Sequence, residues 1–395
     1  MSNMCLLPWM TIETSPLGRI RPCCIAKEDI KNPDGSVMLL TETTLTQAFN
    51  SPYMQNLRQQ FINGEKPETC GRCWAEEEAG RNSKRINAYN VMHLYRKGID
   101  FTDVNGGKLV YLDLKLGNIC NLKCRICSSF SSSKWAAEEL EINRENINAR
   151  QNLHDGRWPR EVESEFWQDL ESIFADIRYM EFTGGEPFLI DEHFDLLEKI
   201  VESGHSKKIK IHYNSNGTTF PERGPDIWKH FGIVDIGLSI DDMAERFEYQ
   251  RYGAKWSDVI ENIRKFKQFK EENSNIQLHF CTTVNILNFY YLDQTLQWLE
   301  AQQFNRVYIN LLHDPQSFCI KSLPADAKLV IKDKLSNAAI PEHHRQTVDQ
   351  LIDFMMLENN YNPKKQMNNI KNIDAKRNQL LSDHHPELAK WIDYE

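Results

Sequence analysis

Three cysteines at Cys-x3-Cys-x2-Cys spacing are the residues of this chain best suited to chemistry: Cys120, Cys124 and Cys127, within GNICNLKCRIC at residues 117–127. A short loop with three thiolates can wrap one corner of an iron–sulfur cube and ligate three of the four irons of a [4Fe–4S] cluster. The fourth iron then lacks a protein thiolate, and a metal with an open position is a place for chemistry. The alternative is structural zinc. Zinc calls for four protein ligands, often as two Cys-x2-Cys pairs, whereas only three cysteines are close here and the nearest histidine is His154.

Five more cysteines precede this loop, so that most of the ten in the chain lie in tight groups near its start, a distribution that suits metal ligation. Alternation in MTIET and again in GRIRP implies two short strands around a turn at Ser15–Gly18. A hairpin brings its two ends together, which makes Cys5 and Cys23 neighbours. Further on, ETCGRCW supplies a Cys-x2-Cys knuckle, Cys70 and Cys73. Together Cys5, Cys23, Cys70 and Cys73 make a closed tetrathiolate set that suits zinc or a fully ligated iron–sulfur cluster alike. Cys24 reads as a spare thiol beside it.

Composition sets the frame. The 395 residues, 41% hydrophobic and 26% charged, are those of an ordinary globular protein with room for two or three domains. There is no uninterrupted apolar run near the length of a membrane span. The start, MSNMCLLPWMTIE, lacks the basic region of a signal peptide, so the expected setting is the cytoplasm, among reduced thiols. A net charge of −9 argues against coating a nucleic-acid backbone.

The elements that must position these cysteines follow from periodicity. Strand-like runs occupy 108–116, 178–184, 208–215, 233–240, 276–284 and 306–312, with helical patterns near 163–176, 191–203, 224–231, 255–272 and 289–303. Six strands alternating with helices predict parallel βαβ units. A parallel barrel places working residues at the C-terminal ends of its strands, and the three cysteines directly follow the first. The second strand ends in TGGEP, where Gly184 and Gly185 let backbone approach a ligand and Glu186 can accept from an ammonium group. The third ends in NSNGT, so Asn214, Ser215 and Asn216 either line the same mouth or form an Asn-Gly turn. The fourth ends in LSIDD, with Ser239 and Asp241 on one side; a helix N-cap is the alternative for Asp241. His205, His212 and His230 read as surface or packing histidines, Cys281 as a core thiol within the fifth strand, and Cys319 as a loop cysteine just past the sixth.

The cysteine loop, followed by the Gly-Gly-Glu strand end, resembles the radical S-adenosylmethionine (radical SAM) superfamily. Ile126 stands where that family usually has an aromatic residue. The resemblance implies an α/β fold built on a partial (β/α)6 TIM-type barrel. It also implies a [4Fe–4S] cluster whose fourth iron is chelated by the amine and carboxylate of SAM. By the same resemblance Gly184, Gly185 and Glu186 contact the SAM amino group, and Asn216, Ser239 and Asp241 are cofactor-binding candidates, Asp241 for the ribose or carboxylate. Arg251, in RFEYQRYGAKWSDVIENI, is a partner for the carboxylate. Cys5, Gly18 and Cys23, with the PCC ending and the Cys70–Cys73 knuckle, resemble the twitch and SPASM auxiliary-cluster domains of such enzymes. Here that domain precedes the barrel instead of following it. NLLHDP (310–315) and SLP (322–324) resemble segments of twitch-type sequences.

The expected organisation is therefore an auxiliary-cluster domain over 1–100, a radical SAM core barrel over 105–318 and a helical C-terminal segment over 319–395. The expected function is reductive cleavage of SAM to a 5′-deoxyadenosyl radical that abstracts hydrogen from a small-molecule or nucleotide-like substrate. A reductant such as flavodoxin or ferredoxin would supply the electron, with no membrane or bulk nucleic-acid partner. Modification of a peptide or protein is the alternative within the class, and a non-catalytic zinc-binding protein the alternative outside it.

Overall fold

The computed structural model describes residues 3–78, 80, 82–358 and 363–394, apart from the side chains of 363–366. Parts of the N-terminal and C-terminal segments named above, residues 1–2, 79, 81, 359–362 and 395, lie outside the described residues. The chain divides into two compact units. One comprises Met1–Asn121, Ser129–Tyr213 and Pro221–Asp235; the other comprises Leu122–Ser128, Asn214–Phe220 and Ile236–Glu395.

In the first unit the strands are β1 (Thr11–Thr14), β2 (Ile20–Arg21), β3 (Tyr111–Leu114), β4 (Tyr179–Phe182) and β5 (Lys210–Ser215), in the order β2-β1-β3-β4-β5. The hairpin forms as its alternation implies, with Glu13 opposite Arg21. Gly18 turns it with φ +73°, and a Cβ there would meet Trp158 at 3.0 Å. The hairpin also joins the larger sheet. β1 pairs in parallel with β3, Thr11 opposite Tyr111, so the N-terminal segment shares a sheet with the first strands of the barrel. β3, β4 and β5 are parallel, Leu112 opposite Met180 and Met180 opposite Ile211.

Parallel strands covered on both faces usually read as continuous apolar runs. Here β4 and β5 alternate in burial. Phe182 and Tyr213 stack at 5.5 Å on the apolar face, where the Tyr213 hydroxyl meets His193 Nε2 at 2.7 Å and accepts from the Trp228 indole at 3.1 Å. Burial holds His193 neutral, its pKa pushed down to about 3. Leu196, Leu197 and Ile200 of the helix Asp191–Glu202 are buried on its inward stripe.

β6 (Ile233–Ser239) runs through the boundary between the units. The second unit holds its end, then β7 (Ile276–Val284) and β8 (Arg306–Leu311), which pair in parallel from His279 opposite Arg306 to Val284 opposite Leu311. The helices Ala325–Asn337, Glu342–Met356, Pro363–Arg377 and Pro386–Trp391 make up most of the C-terminal segment. Their apolar stripes close on a core that includes Leu292, Leu296, Ile331, Val348 and Leu388. Cys319 is buried in this core. Among the described residues no helix is long and apolar enough to cross a membrane.

Candidate iron–sulfur and cofactor sites

The loop with the three cysteines leaves β3 at a built corner. In the first unit Asn118 donates from Nδ2 to the carbonyls of Asn152 (2.8 Å) and Ser129 (3.2 Å), and Gly117 turns with φ +90°. Cys120 N–H donates to Ser133 Oγ at 3.3 Å. The strand end TGGEP packs on the same loop. Gly184 and Gly185 both have positive φ, Glu186 N–H donates to the Ile119 carbonyl at 2.7 Å, and a Cβ on Gly185 would stand 2.4 Å from that oxygen. Only glycine permits this approach. Glu186 is fully buried, and its carboxylate accepts from Phe188 N–H at 3.3 Å.

In the second unit Cys127 N–H closes a turn on the Cys124 carbonyl at 3.0 Å. Burial pushes both thiols up, Cys127 to about 12, while Arg251 draws both toward the thiolate and Arg377 also acts on Cys124. Asp241 and Arg251, each read from sequence as a cofactor contact, hold one another. Asp241 Oδ2 accepts from Arg251 Nε (2.9 Å) and Nη2 (2.7 Å) and from Gln250 (2.7 Å), and Oδ1 accepts from Thr283 N–H at 2.8 Å. Ser239 ends β6, half-buried. Asn216 forms the turn that was its alternative, its side-chain oxygen accepting from Thr218 N–H at 2.9 Å. Cys281, expected in the apolar core, is half-buried, and its thiol responds to Asp241 and Arg251. It lies on the polar face because it shares the two-residue period of His279 and Thr283 in β7.

Four of the N-terminal cysteines converge. Cys5, Cys23, Cys70 and Cys73 line one small cavity with Leu7, Phe61, Lys84 and Arg85. Among the described residues no three of these sulfurs lie within 4.8 Å of one another. Four thiolates around one cavity suit zinc or a fully ligated iron–sulfur cluster alike. Burial pushes the Cys5, Cys70 and Cys73 thiols up, and Arg85, fixed by Glu77 and by the Met4 carbonyl, offsets only part of this. Cys24 lies outside that lining; the charges it responds to are Lys84, Asp113, Glu181 and Lys115.

Asp113, Lys115 and Glu181 belong to a polar strand face that sequence reasoning missed, and Lys84 reaches Glu181 from the helix Lys84–Met92. Lys115 Nζ reaches Glu13 (2.6 Å) and Asp113 (3.0 Å), and Glu13 is held by Arg21 at 2.7 Å. The Tyr111 hydroxyl donates to Glu181 at 2.5 Å. Burial pushes Asp113 up to about 6. For Glu181 burial acts upward as well, but Lys84, His212 and Tyr111 outweigh it and hold the group at about 2. His212, read as a packing histidine, faces Asp235 at 3.2 Å. The signal was present in YLDLK, YMEF and KIHYN, where a charged or phenolic residue recurs at every second position.

Residues 114–299 match the radical SAM superfamily, and residues 5–74 match an iron–sulfur cluster-binding domain of the SPASM type. The chain thus carries a radical SAM domain with an iron–sulfur cluster-binding domain ahead of it. These domains imply the partial TIM barrel, a [4Fe–4S] cluster with SAM, and an auxiliary iron–sulfur cluster. Curated relatives include a GTP 3′,8-cyclase of Vibrio parahaemolyticus, 23% identical over 54% of this chain and 57% of its own length. Another, from Actinobacillus pleuropneumoniae, is 26% identical over 58% of each chain. The chain thus spans a little over half the length of these relatives. Among solved structures, native anSMEcpe with bound AdoMet overlaps 52% of each chain at 20% identity and a TM-score of 0.37. SuiB from Streptococcus suis with bound S-adenosylmethionine covers 72% of this chain and 61% of its own, at 14% identity and a TM-score of 0.34. Overlaps this loose bear on neither substrate nor mechanism.

Proposed function

We propose that this chain reductively cleaves SAM at a cluster ligated by Cys120, Cys124 and Cys127, and that the 5′-deoxyadenosyl radical takes a hydrogen atom from a polar small-molecule or nucleotide-like substrate. The observation that carries this reading is the Gly184–Gly185–Glu186 turn packed on Ile119, one residue before the first of the three cysteines. When bound, the cluster supplies the electron that breaks the sulfonium C–S bond. The protein's part is to bind, orient and exclude water. In this reading Glu186 and the two glycines take the SAM amino group, Arg251 takes the carboxylate with Asp241 fixing its orientation, and Ser239 and Asn216 serve the nucleoside end. Curated relatives named as cyclases of a nucleotide support the small-molecule reading over the peptide one. We assign the N-terminal cluster an electron-relay role and expect a flavodoxin- or ferredoxin-type reductant.

The test is anaerobic reconstitution followed by incubation with SAM and dithionite. Wild-type protein yields 5′-deoxyadenosine and Cys124→Ala yields none. Equal production by both sinks the assignment of that loop.

A further inference from the structure

We infer that Glu300, His343 and His344 form a binding site for a divalent transition metal ion, zinc being the ion their chemistry suits, and that the ion ties the helix Leu292–Ala301 to the helix Glu342–Met356. The site lies outside the cluster and cofactor sites and does not depend on the reading above.

One carboxylate oxygen takes both imidazoles. Glu300 Oε1 lies 3.0 Å from His343 Nε2 and 2.9 Å from His344 Nε2, and the three ligand atoms all fall within 4.8 Å of one another. Neighbouring residues of an α-helix project about 100° apart, yet these two rings converge, their centroids 4.1 Å apart. Pairing alone has no need of that convergence, because a carboxylate offers a second oxygen to a second donor. Two atoms that share a metal at about 2.1 Å stand about 3.0–3.4 Å apart, from octahedral to tetrahedral angles. The nitrogen–oxygen spacings therefore open by about half an ångström at most to admit the ion.

The scaffold is fixed before any ion arrives. Leu292 and Leu296 of one helix and Val348 and Leu351 of the other are buried in the same core. Three residues before Glu300, Gln297 donates to the Ala339 carbonyl at 2.7 Å. The His344 side chain is 7% exposed and so held by packing, whereas that of His343 is 62% exposed. The ligand atoms thus meet at a rim where water takes the remaining positions, which makes the site open and the ion exchangeable. Two imidazoles with one carboxylate select zinc and its transition-metal neighbours over magnesium and calcium, which take oxygen ligands. As surface ion pairs the three contacts contribute little; a metal held only by the folded state stabilises it in proportion to its affinity.

Zinc content and melting temperature test this on the anaerobically reconstituted full chain. In equilibrium dialysis against zinc chloride, wild type should hold about one zinc per chain more than His343→Ala or Glu300→Gln, and any background at the cysteines is common to all three. Zinc chloride should raise the melting temperature of the wild type and leave that of His343→Ala in place, while magnesium chloride shifts neither. His343 is exposed, so its replacement removes a ligand and not a packed side chain, and Glu300→Gln keeps the test open if His343→Ala melts early without zinc. Equal zinc content in wild type and both variants overturns the site. An equal zinc-induced shift in wild type and variant, or a shift of the same size with magnesium, overturns it as well.

Discussion

The backbone oxygen of Ile119 lies 2.4 Å from where a Cβ on Gly185 would stand, and Gly185 is at φ +58°. A methyl group at this position meets backbone, which cannot swing away as a flexible side chain can. Gly185→Ala should therefore displace the cysteine loop, cost about 1–3 kcal/mol and abolish 5′-deoxyadenosine formation. Gly204→Ala is the control. Its φ is +73° but nothing lies within 4 Å, so it should cost about 1–2 kcal/mol of backbone strain and leave SAM cleavage intact. Denaturant midpoints and product assays read both; equal activity in the two variants would show that the close approach is unimportant.

The N-terminal cysteines divide into four that line a cavity and one that does not. Cys70→Ser should lower bound iron by about four atoms per chain while reductive SAM cleavage persists. Cys24→Ser should leave iron content unchanged. Iron assays decide, and a full iron complement in Cys70→Ser would place the auxiliary site elsewhere.

Asp241 and Arg251 are buried together, and a buried pair broken on one side leaves an uncompensated charge. Asp241→Asn should cost about 3–5 kcal/mol, read as a drop in the urea midpoint. A change below about 1 kcal/mol would mean that the pair is solvated and screened like a surface one.

The Asp113 carboxyl, buried beside Lys115 and Glu181, holds its proton to about pH 6, whereas its ordinary value is 3.8. The folded state thus binds a proton that the unfolded chain has already lost. The contribution of Asp113 to stability is full below pH 3.8 and is lost as pH rises through 6. Glu181, held at about 2 against an ordinary 4.5, acts in the opposite sense: its contribution is present above 4.5 and is lost as pH falls through 2. Asp113→Asn should therefore flatten the decline in stability across the interval from 3.8 to 6. Urea midpoints measured across that interval check it, and an unchanged slope would assign the titration to another group.

The sequence by itself determined what is local. Cysteine spacing within a loop, the two-residue period of each barrel strand, the hairpin turn at Gly18 and the Gly-Gly strand end depend on residues close along the chain, and the strands from Tyr111 to Leu311 fall where periodicity put them. Tertiary structure alone decided which distant elements meet. The pairing of Thr11 with Tyr111, the approach of His212 to Asp235 and the closure of Asp374 on Arg125 leave no periodic trace, because long-range pairing depends on how faces pack and not on how residues repeat. The polar strand face lies between these cases. Its alternation was written in the chain, but only the packing of helices against the apolar side made the other side the one that gathers charge.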